Sequence, residues 1–158
     1  MTGGVESPWR KVADLAVGGL TEIGFGHFST LLLVVSHQGR GLVDCMTGHV
    51  MARDRQETGA WFDVLRTASQ GIGPLAGQWI DLAGLAGGHL ATSTPDGWHA
   101  RRAEDGIHLS GPSGATAMMP AIEEVRAFGF SYDGMVLVVA SSSSLIIFRR
   151  ENQATLPT

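Results

Sequence analysis

Short apolar runs alternate with polar turns along the whole chain. The longest runs cover residues 31–35 and 135–140, are rich in Val and Leu, and are bounded by Gly, Ser or Asp. A continuous apolar run of this length between turn residues predicts a strand that is covered on both faces. The pattern predicts strands near residues 12–17, 20–25, 31–36, 40–45, 49–53, 78–83, 97–102, 106–110, 115–119, 124–130, 135–140 and 144–150.

A unit of two such strands occurs twice, once near each end of the chain. Residues 21–36 align with residues 126–141 at a constant offset of 105 positions. The alignment superimposes Ile23 on Phe128, Gly24 on Gly129, Phe25 on Phe130 and Leu32 on Leu137. A strand–turn–strand unit cannot bury its apolar faces alone, so the repeat predicts a scaffold of packed hairpins. The later copy lacks an outer strand, and we expect the N-terminal strand near Leu15 to supply it beside the strand near Ile147.

One stretch has a different periodicity. In residues 57–69, Trp61, Val64, Leu65 and Ala68 recur at helical spacing, and Gly71 follows as a stop signal. The sequence therefore predicts an all-β, mainly antiparallel fold with one short helix, as a small propeller-like or β-sandwich single domain. The domain is expected to cover residues 1–158, with flexible ends at 1–10 and 151–158.

Composition narrows the class of protein. In 158 residues, 44% hydrophobic and 16% charged side chains are enough for one core. The net charge of −4 disfavours direct nucleic-acid binding and favours basic partners. Cys45 is the single cysteine, which excludes an internal disulfide and fits a reducing compartment. The N-terminus lacks the apolar core of a signal peptide, and no apolar run could span a bilayer. A cytoplasmic protein without membrane contact is the prediction.

Two segments resemble parts of a WD-type β-propeller blade. Residues 42–51 are similar to the third and fourth strands of such a blade, with Val43 at the position where Trp is usual. Residues 130–134 resemble the turn of these blades, with Tyr132 in place of Pro. The resemblance implies small sheets packed in a ring. Full blades of about 40 residues would fit at most four times, which excludes a large propeller.

The chain as a whole resembles a second group, the bacterial immunity proteins of contact-dependent growth inhibition systems, which are encoded beside polymorphic toxins. The stretch of residues 17–41, with the later residues 96–98 and 128–131, carries this resemblance. It implies an antitoxin that binds and neutralises a cognate toxin C-terminal domain. Immunity proteins share no common chemistry, so the resemblance assigns no residue.

Candidate catalytic and metal-binding groups give little support to an enzyme. Cys45 and His49 have ligand-like spacing, but residues 46–48 between them indicate a hairpin, and no second motif completes a tetrahedral site. His99 and His108 lie on adjacent predicted strands and could act as a general acid and base across a hairpin. We expect no catalytic residue, no metal and no cofactor.

A binding surface is the more specific expectation. Trp98 follows a Pro-Asp-Gly turn, where it is either an interface anchor or a core residue. Two acidic pairs near it, Glu104 with Asp105 and Glu123 with Glu124, could complement the basic active site of a nuclease toxin. The sequence thus predicts an immunity protein that binds its toxin through these five residues. The alternatives are a small metal-independent hydrolase or nuclease that uses His99 and His108, and a self-associating β-scaffold module.

Overall fold

The computed structural model describes residues 7–55, 60–121 and 123–151, and this part of the chain consists mainly of antiparallel strands. The helical segments among these residues are two short 3-10 turns, Gly73–Leu75 and Pro112–Gly114. The predicted all-β fold is confirmed. The strands are β1 (Trp9–Ala16), β2 (Leu20–Phe25), β3 (Leu31–Ser36), β4 (Gly39–Asp44), β5 (His49–Asp54), β6 (Phe62–Asp63), β7 (Ala68–Gln70), β8 (Trp79–Asp81), β9 (Ala83–Gly84), β10 (His99–Ala103), β11 (Gly106–Ser110), β12 (Thr116–Pro120), β13 (Ala127–Phe130), β14 (Val136–Ala140) and β15 (Ser144–Arg150).

These strands form four small sheets. The first sheet has the order β5-β4-β3-β2-β9, the second β6-β7-β8, the third β10-β11-β12 and the fourth β1-β15-β14-β13. Consecutive strands pair within each sheet, except that β9 joins the first sheet and β1 joins the fourth. Most strand pairs therefore join strands that are neighbours in sequence. Of the named strand pairs, β2–β9 and β1–β15 join strands that are far apart along the chain.

The internal repeat is structural. In the first copy Ile23, Gly24 and Phe25 pair with Val34, Leu33 and Leu32. In the second copy Phe128, Gly129 and Phe130 pair with Val139, Val138 and Leu137, at the same offset on both strands. The residues predicted to be buried in both copies are buried: Leu32, Val34, Leu137 and Val139.

Each copy of the repeat packs against two neighbouring sheets. Leu32 belongs to the cluster between the fourth and first sheets, and its equivalent Leu137 belongs to the cluster between the third and fourth. Leu33 faces the second sheet, and its equivalent Val138 faces the first. Corresponding residues thus contact the preceding or following sheet in both copies. This is the relation between neighbouring propeller blades, and a two-sheet sandwich does not produce it.

The glycine shared by the two copies has the same role in both. A Cβ atom on Gly24 would collide with the backbone carbonyl of Asp81, and one on Gly129 would collide with Leu90 and the carbonyl of Ala91. In both sheets a second, antiparallel segment of backbone comes close to the strand at this point. Glycine is required for that close approach and not for an unusual φ angle.

The predicted helix over residues 57–69 is wrong for the described part, residues 60–69; residues 57–59 lie outside it. Asp63 accepts hydrogen bonds from the backbone N–H groups of Leu65 and Arg66, at 3.0 and 3.2 Å, and this closes a turn between β6 and β7. Val64 and Leu65 are exposed, so the helical spacing of the apolar residues does not describe a buried face. An aspartate that bonds to the following backbone favours a turn over a helix.

The N-terminal strand completes the fourth sheet as predicted. Ala13 pairs with Ile147 and Leu15 pairs with Leu145 along the edge of β15. Strand β1 starts at Trp9, inside the N-terminal range 1–10 that the sequence predicted to be flexible. The Trp9 side chain is buried. Residues 1–6 and 152–158 of the predicted flexible ends lie outside the described residues.

A buried arginine connects the fourth sheet to the loop before the third. The Arg150 guanidinium donates to both carboxylate oxygens of Asp96 at 2.6 and 2.7 Å, and its Nε donates to the carbonyl of Gly134 at 3.0 Å. It lies 5.4 Å from the ring centroid of Trp9 and 5.9 Å from that of Trp98. A bidentate pair flanked by two indole rings fixes the loop on the sheet.

Asp96→Asn should destabilise the protein by about 1 to 2 kcal/mol, because it leaves the buried Arg150 without its charged partner. The effect is no larger because the Asp96 side chain is half-exposed in the parent. The hydrogen bonds from Arg150 lower the pKa of Asp96 from 3.8 to about 2. A lowered pKa in the folded state stabilises the protein above pH 4, and this contribution is lost as the pH falls from about 4 to about 2.

Urea unfolding of parent and variant at pH 7 and pH 2.5 measures this difference. The gap between the two proteins should shrink at the lower pH. Asp14→Asn is the control, because Asp14 and Lys11 are both more than half exposed and 3.9 Å apart, and it should cost less than about 0.5 kcal/mol. A gap that is the same at both pH values would contradict the prediction.

Candidate protein-binding site

Trp98 lies in the core and not at an exposed loop tip. Its exposed fraction is 4%, and its ring meets that of Trp9 edge-on, with centroids 5.8 Å apart. The Thr94 hydroxyl accepts the Trp98 backbone N–H at 2.9 Å, which holds the strand entry in place. Of the two interpretations of Trp98, the structure favours the core residue. A partner could not contact its indole without opening the third sheet.

The predicted acidic residues come together at one end of the third sheet. Glu104 and Asp105 form the turn between β10 and β11, and Glu123 and Glu124 follow β12. The backbone N–H of Ala121 donates to the carbonyl of Asp105 at 3.2 Å and connects the two segments. Three of the carboxylates, those of Glu104, Glu123 and Glu124, line one shallow depression of about 590 Å³. Residues that are 20 positions apart in sequence thus share one surface.

Neighbouring hydrogen-bond partners lower the pKa of two of the four carboxylates, those of Asp105 and Glu123. The Ser143 hydroxyl donates to Glu123 Oε2 at 2.7 Å and lowers the pKa of Glu123. A hydrogen bond with His108 lowers the pKa of Asp105. Arg102 also lines the depression, and its guanidinium lies 5.9 Å from the Phe128 ring. Three carboxylates against one guanidinium leave the depression with net negative charge.

The two histidines proposed as an acid–base pair are not opposite each other. In the β10–β11 hairpin His99 pairs with Ser110, and His108 pairs with Arg101. The histidines share a face but lie on a diagonal, which separates their Cβ atoms by about 7 Å. His108 Nε2 instead contacts Asp105 Oδ1 at 2.6 Å. His99 and His108 therefore do not face each other directly, and the contact that His108 forms is with Asp105.

The ligand-like spacing of Cys45 and His49 is not completed by a further ligand among the described residues. Within the described part of the chain, no group of three or more His, Cys, Asp or Glu side chains is placed to hold a metal ion. Cys45 is buried, and burial together with the neighbouring Asp44 carboxylate raises the pKa of its thiol well above the usual range. A protonated buried thiol is a poor nucleophile.

Sequence analysis missed an exposed aromatic pair at the opposite end of the sheets. Phe28 is 85% exposed and Tyr132 is 55% exposed, and their rings meet edge-on at 5.9 Å. They lie in the β2–β3 and β13–β14 turns, which are equivalent in the repeat. Phe28 has a φ of 49°, which is uncommon for a bulky residue. Only the equivalence of the two turns could have indicated from the sequence that these side chains are neighbours.

None of the described helical segments is long and apolar enough to cross a membrane. The sequence matches no model of a known protein family, and it matches no curated protein.

Proposed function

We propose that this chain is an immunity protein that binds a cognate toxin domain in the cytoplasm and neutralises it by forming a stoichiometric complex. The toxin is expected to be a nuclease with a basic active site. No catalysis by the chain itself is part of the proposal. The class of protein is inferred from the whole-chain resemblance, and the toxin-binding surface is inferred from the acidic depression.

The observation that carries the proposal is the convergence of Glu104, Glu123 and Glu124 on one depression, with Asp105 beside it. These carboxylates come from two separate segments, the β10–β11 turn and the residues after β12, yet three of them line the same depression. A concave negative surface attracts a basic partner and orients it before contact. Trp98 is not part of this surface, so the proposed binding residues are the four carboxylates.

Charge reversal of the depression tests the proposal. Glu104→Lys with Glu124→Lys should lower the association rate with the toxin domain at least about tenfold at low salt, because surface charges act mainly on the encounter. The toxin domain is the one encoded in the adjacent reading frame. Surface plasmon resonance at several salt concentrations measures the rate, and rescue of growth on co-expression measures neutralisation.

Asp14→Lys with Asp81→Lys is the matched control, since both residues are exposed acids on other strands. A second control, Phe28→Ser with Tyr132→Ser, tests the aromatic pair. The proposed surface is wrong if either control weakens the complex as much as the reversal does. If the parent neither protects the cells nor binds the toxin domain, the immunity function itself is refuted.

A further inference from the structure

The first sheet contains a buried carboxylate that the proposed function does not use. Glu22, in β2, is only 4% exposed. Its Oε2 accepts one hydrogen bond, a long one of 3.3 Å, from the backbone N–H of Ala86. Among the described residues, the other carboxylate oxygen of Glu22, Oε1, accepts no hydrogen bond. This oxygen is not fully buried. Burying a carboxylate is costly unless donors or a cation compensate it, and here a single long hydrogen bond compensates it only in part.

This carboxylate lines a cavity at the boundary of the first and second sheets. The cavity has a volume of about 500 Å³. Phe62 and Leu85 contribute apolar wall, and Leu85 is 62% exposed, an unusual state for a leucine beside a concave surface. The remaining lining residues are Thr21, Val35, Ser36, His37, Gly39, Trp61 and Ala86. A concave surface that combines apolar walls with a few polar groups, one of them a carboxylate, is the usual form of a small-ligand site.

No cation of the described chain compensates Glu22. Arg40 follows the lining residue Gly39 in sequence, but its guanidinium interacts with other groups. Its guanidinium forms an ion pair with Asp54, donates to the carbonyl of Gln70 at 2.7 Å and lies 4.4 Å from the Trp61 ring centroid. In the described residues Glu22 forms no ion pair with Lys, Arg or His. The cavity therefore presents a negative group without a positive partner.

We propose that this cavity binds a primary ammonium group on an aliphatic stem, with the ammonium donating to Glu22 Oε1 and the stem lying against Phe62 and Leu85. An ammonium carries three donors and satisfies a carboxylate that a neutral group leaves uncompensated. The stem covers apolar wall as lysine side chains do on protein surfaces. The same chemistry occurs in a free alkylamine and in a lysine side chain of a protein partner.

The site is independent of the proposed toxin binding, because it uses none of the four carboxylates of the depression. Both lie at the same end of the sheets, however. The Leu20 backbone N–H, two residues before Glu22, donates to the carbonyl of Ser142 at 3.0 Å, and Ser143 binds Glu123. These hydrogen bonds connect the start of β2, beside the cavity, to the β14–β15 turn, which contacts the depression through Glu123.

A titration of the full chain followed by ¹H–¹⁵N NMR tests the proposal. The probes are pentylammonium, pentan-1-ol as the neutral analogue of equal length, and Nα-acetyl-lysine methylamide. We expect saturable shifts at the amides of Glu22, Phe62 and Ala86 with both ammonium compounds, and affinity at least about tenfold lower for the alcohol. Tighter binding of the lysine derivative would identify a partner's side chain as the ligand, and tighter binding of pentylammonium a free amine.

Glu22→Gln keeps the shape of the side chain and an acceptor for Ala86, and it should weaken ammonium binding at least about tenfold. Glu151→Gln makes the same charge change at an exposed residue outside the cavity and should leave the affinity unchanged. The proposal is overturned if pentan-1-ol binds as well as pentylammonium, if Glu22→Gln binds like the parent, or if the shifts do not saturate. The comparison of the two probes on the parent protein decides the question even if the Gln variant does not fold.

Discussion

Deletion of residues 1–17 is expected to destabilise the whole fourth sheet, with a larger effect than any single substitution in the chain. Strand β1 covers the edge of β15 over the full length of the pairing, from Trp9 to Ala16. It also contributes to two core clusters, through Trp9 between the third and fourth sheets and through Leu15 between the fourth and first. The deletion thus removes backbone hydrogen bonds, exposes a sheet edge and opens two cores.

Amide exchange at residues 146–148 measures this effect, because these residues pair with β1 on one side and β14 on the other. The amide protection of these residues should fall, because their amides would then exchange through the global unfolding of a much less stable domain. Deletion of residues 1–6 keeps β1 and serves as the control. A synthetic peptide of residues 7–17, added in excess, should restore protection by mass action. Unchanged protection in the truncated chain would show that β1 is dispensable.

The strands and their pairing could be predicted because the apolar runs are covered on both faces. A strand between two sheets needs apolar residues at every position, and such runs have clear ends at Gly, Ser and Asp. β2, β3, β11 and β15 begin and end at the predicted residues. The repeat added the long-range information, because the missing outer strand of the second copy indicated that β1 closes the fourth sheet.

The errors lie where burial does not follow the local sequence pattern. The pattern over residues 57–69 mimics a helix only because Val64 and Leu65 are apolar, yet both are exposed in a turn fixed by Asp63. Trp98 follows a turn in sequence, but its indole points into the core, where Arg150 provides the charged neighbour. That arginine is 52 residues away in sequence, and no local pattern indicates such a contact.

The sequence indicated which residues could form the candidate site, but it did not indicate how they are arranged in space. The two acidic pairs are visible in the sequence, but their convergence depends on the return of β12 beside β11, which brings Pro120 opposite Gly106. The register of the β10–β11 hairpin likewise decides that His108 meets Asp105 and not His99. Glu22 gave no signal, because a lone glutamate in an apolar strand is normally exposed and here a bulge between Leu20 and Glu22 alters its position.

Leu137→Ala and Leu32→Ala should each lower the free energy of unfolding by roughly 2 to 5 kcal/mol. Both side chains are completely buried and occupy equivalent places in the two copies of the repeat. Each substitution leaves a cavity between two sheets that the surrounding backbone, paired on both sides, cannot fill. Leu65→Ala is the matched control, since Leu65 is 98% exposed, and it should change stability by less than about 0.5 kcal/mol.

The same two substitutions also test whether the two core clusters contribute independently to stability. Leu32 and Leu137 lie in different clusters, so their effects should add within about 0.5 kcal/mol in the double variant, measured by urea unfolding with an unchanged m-value. A much smaller combined effect would mean that one cavity relaxes the other across the fourth sheet, and that the core is a single unit. An effect of Leu137→Ala no larger than that of Leu65→Ala would contradict the placement of the repeat in the core, because only an exposed leucine can be truncated at so little cost.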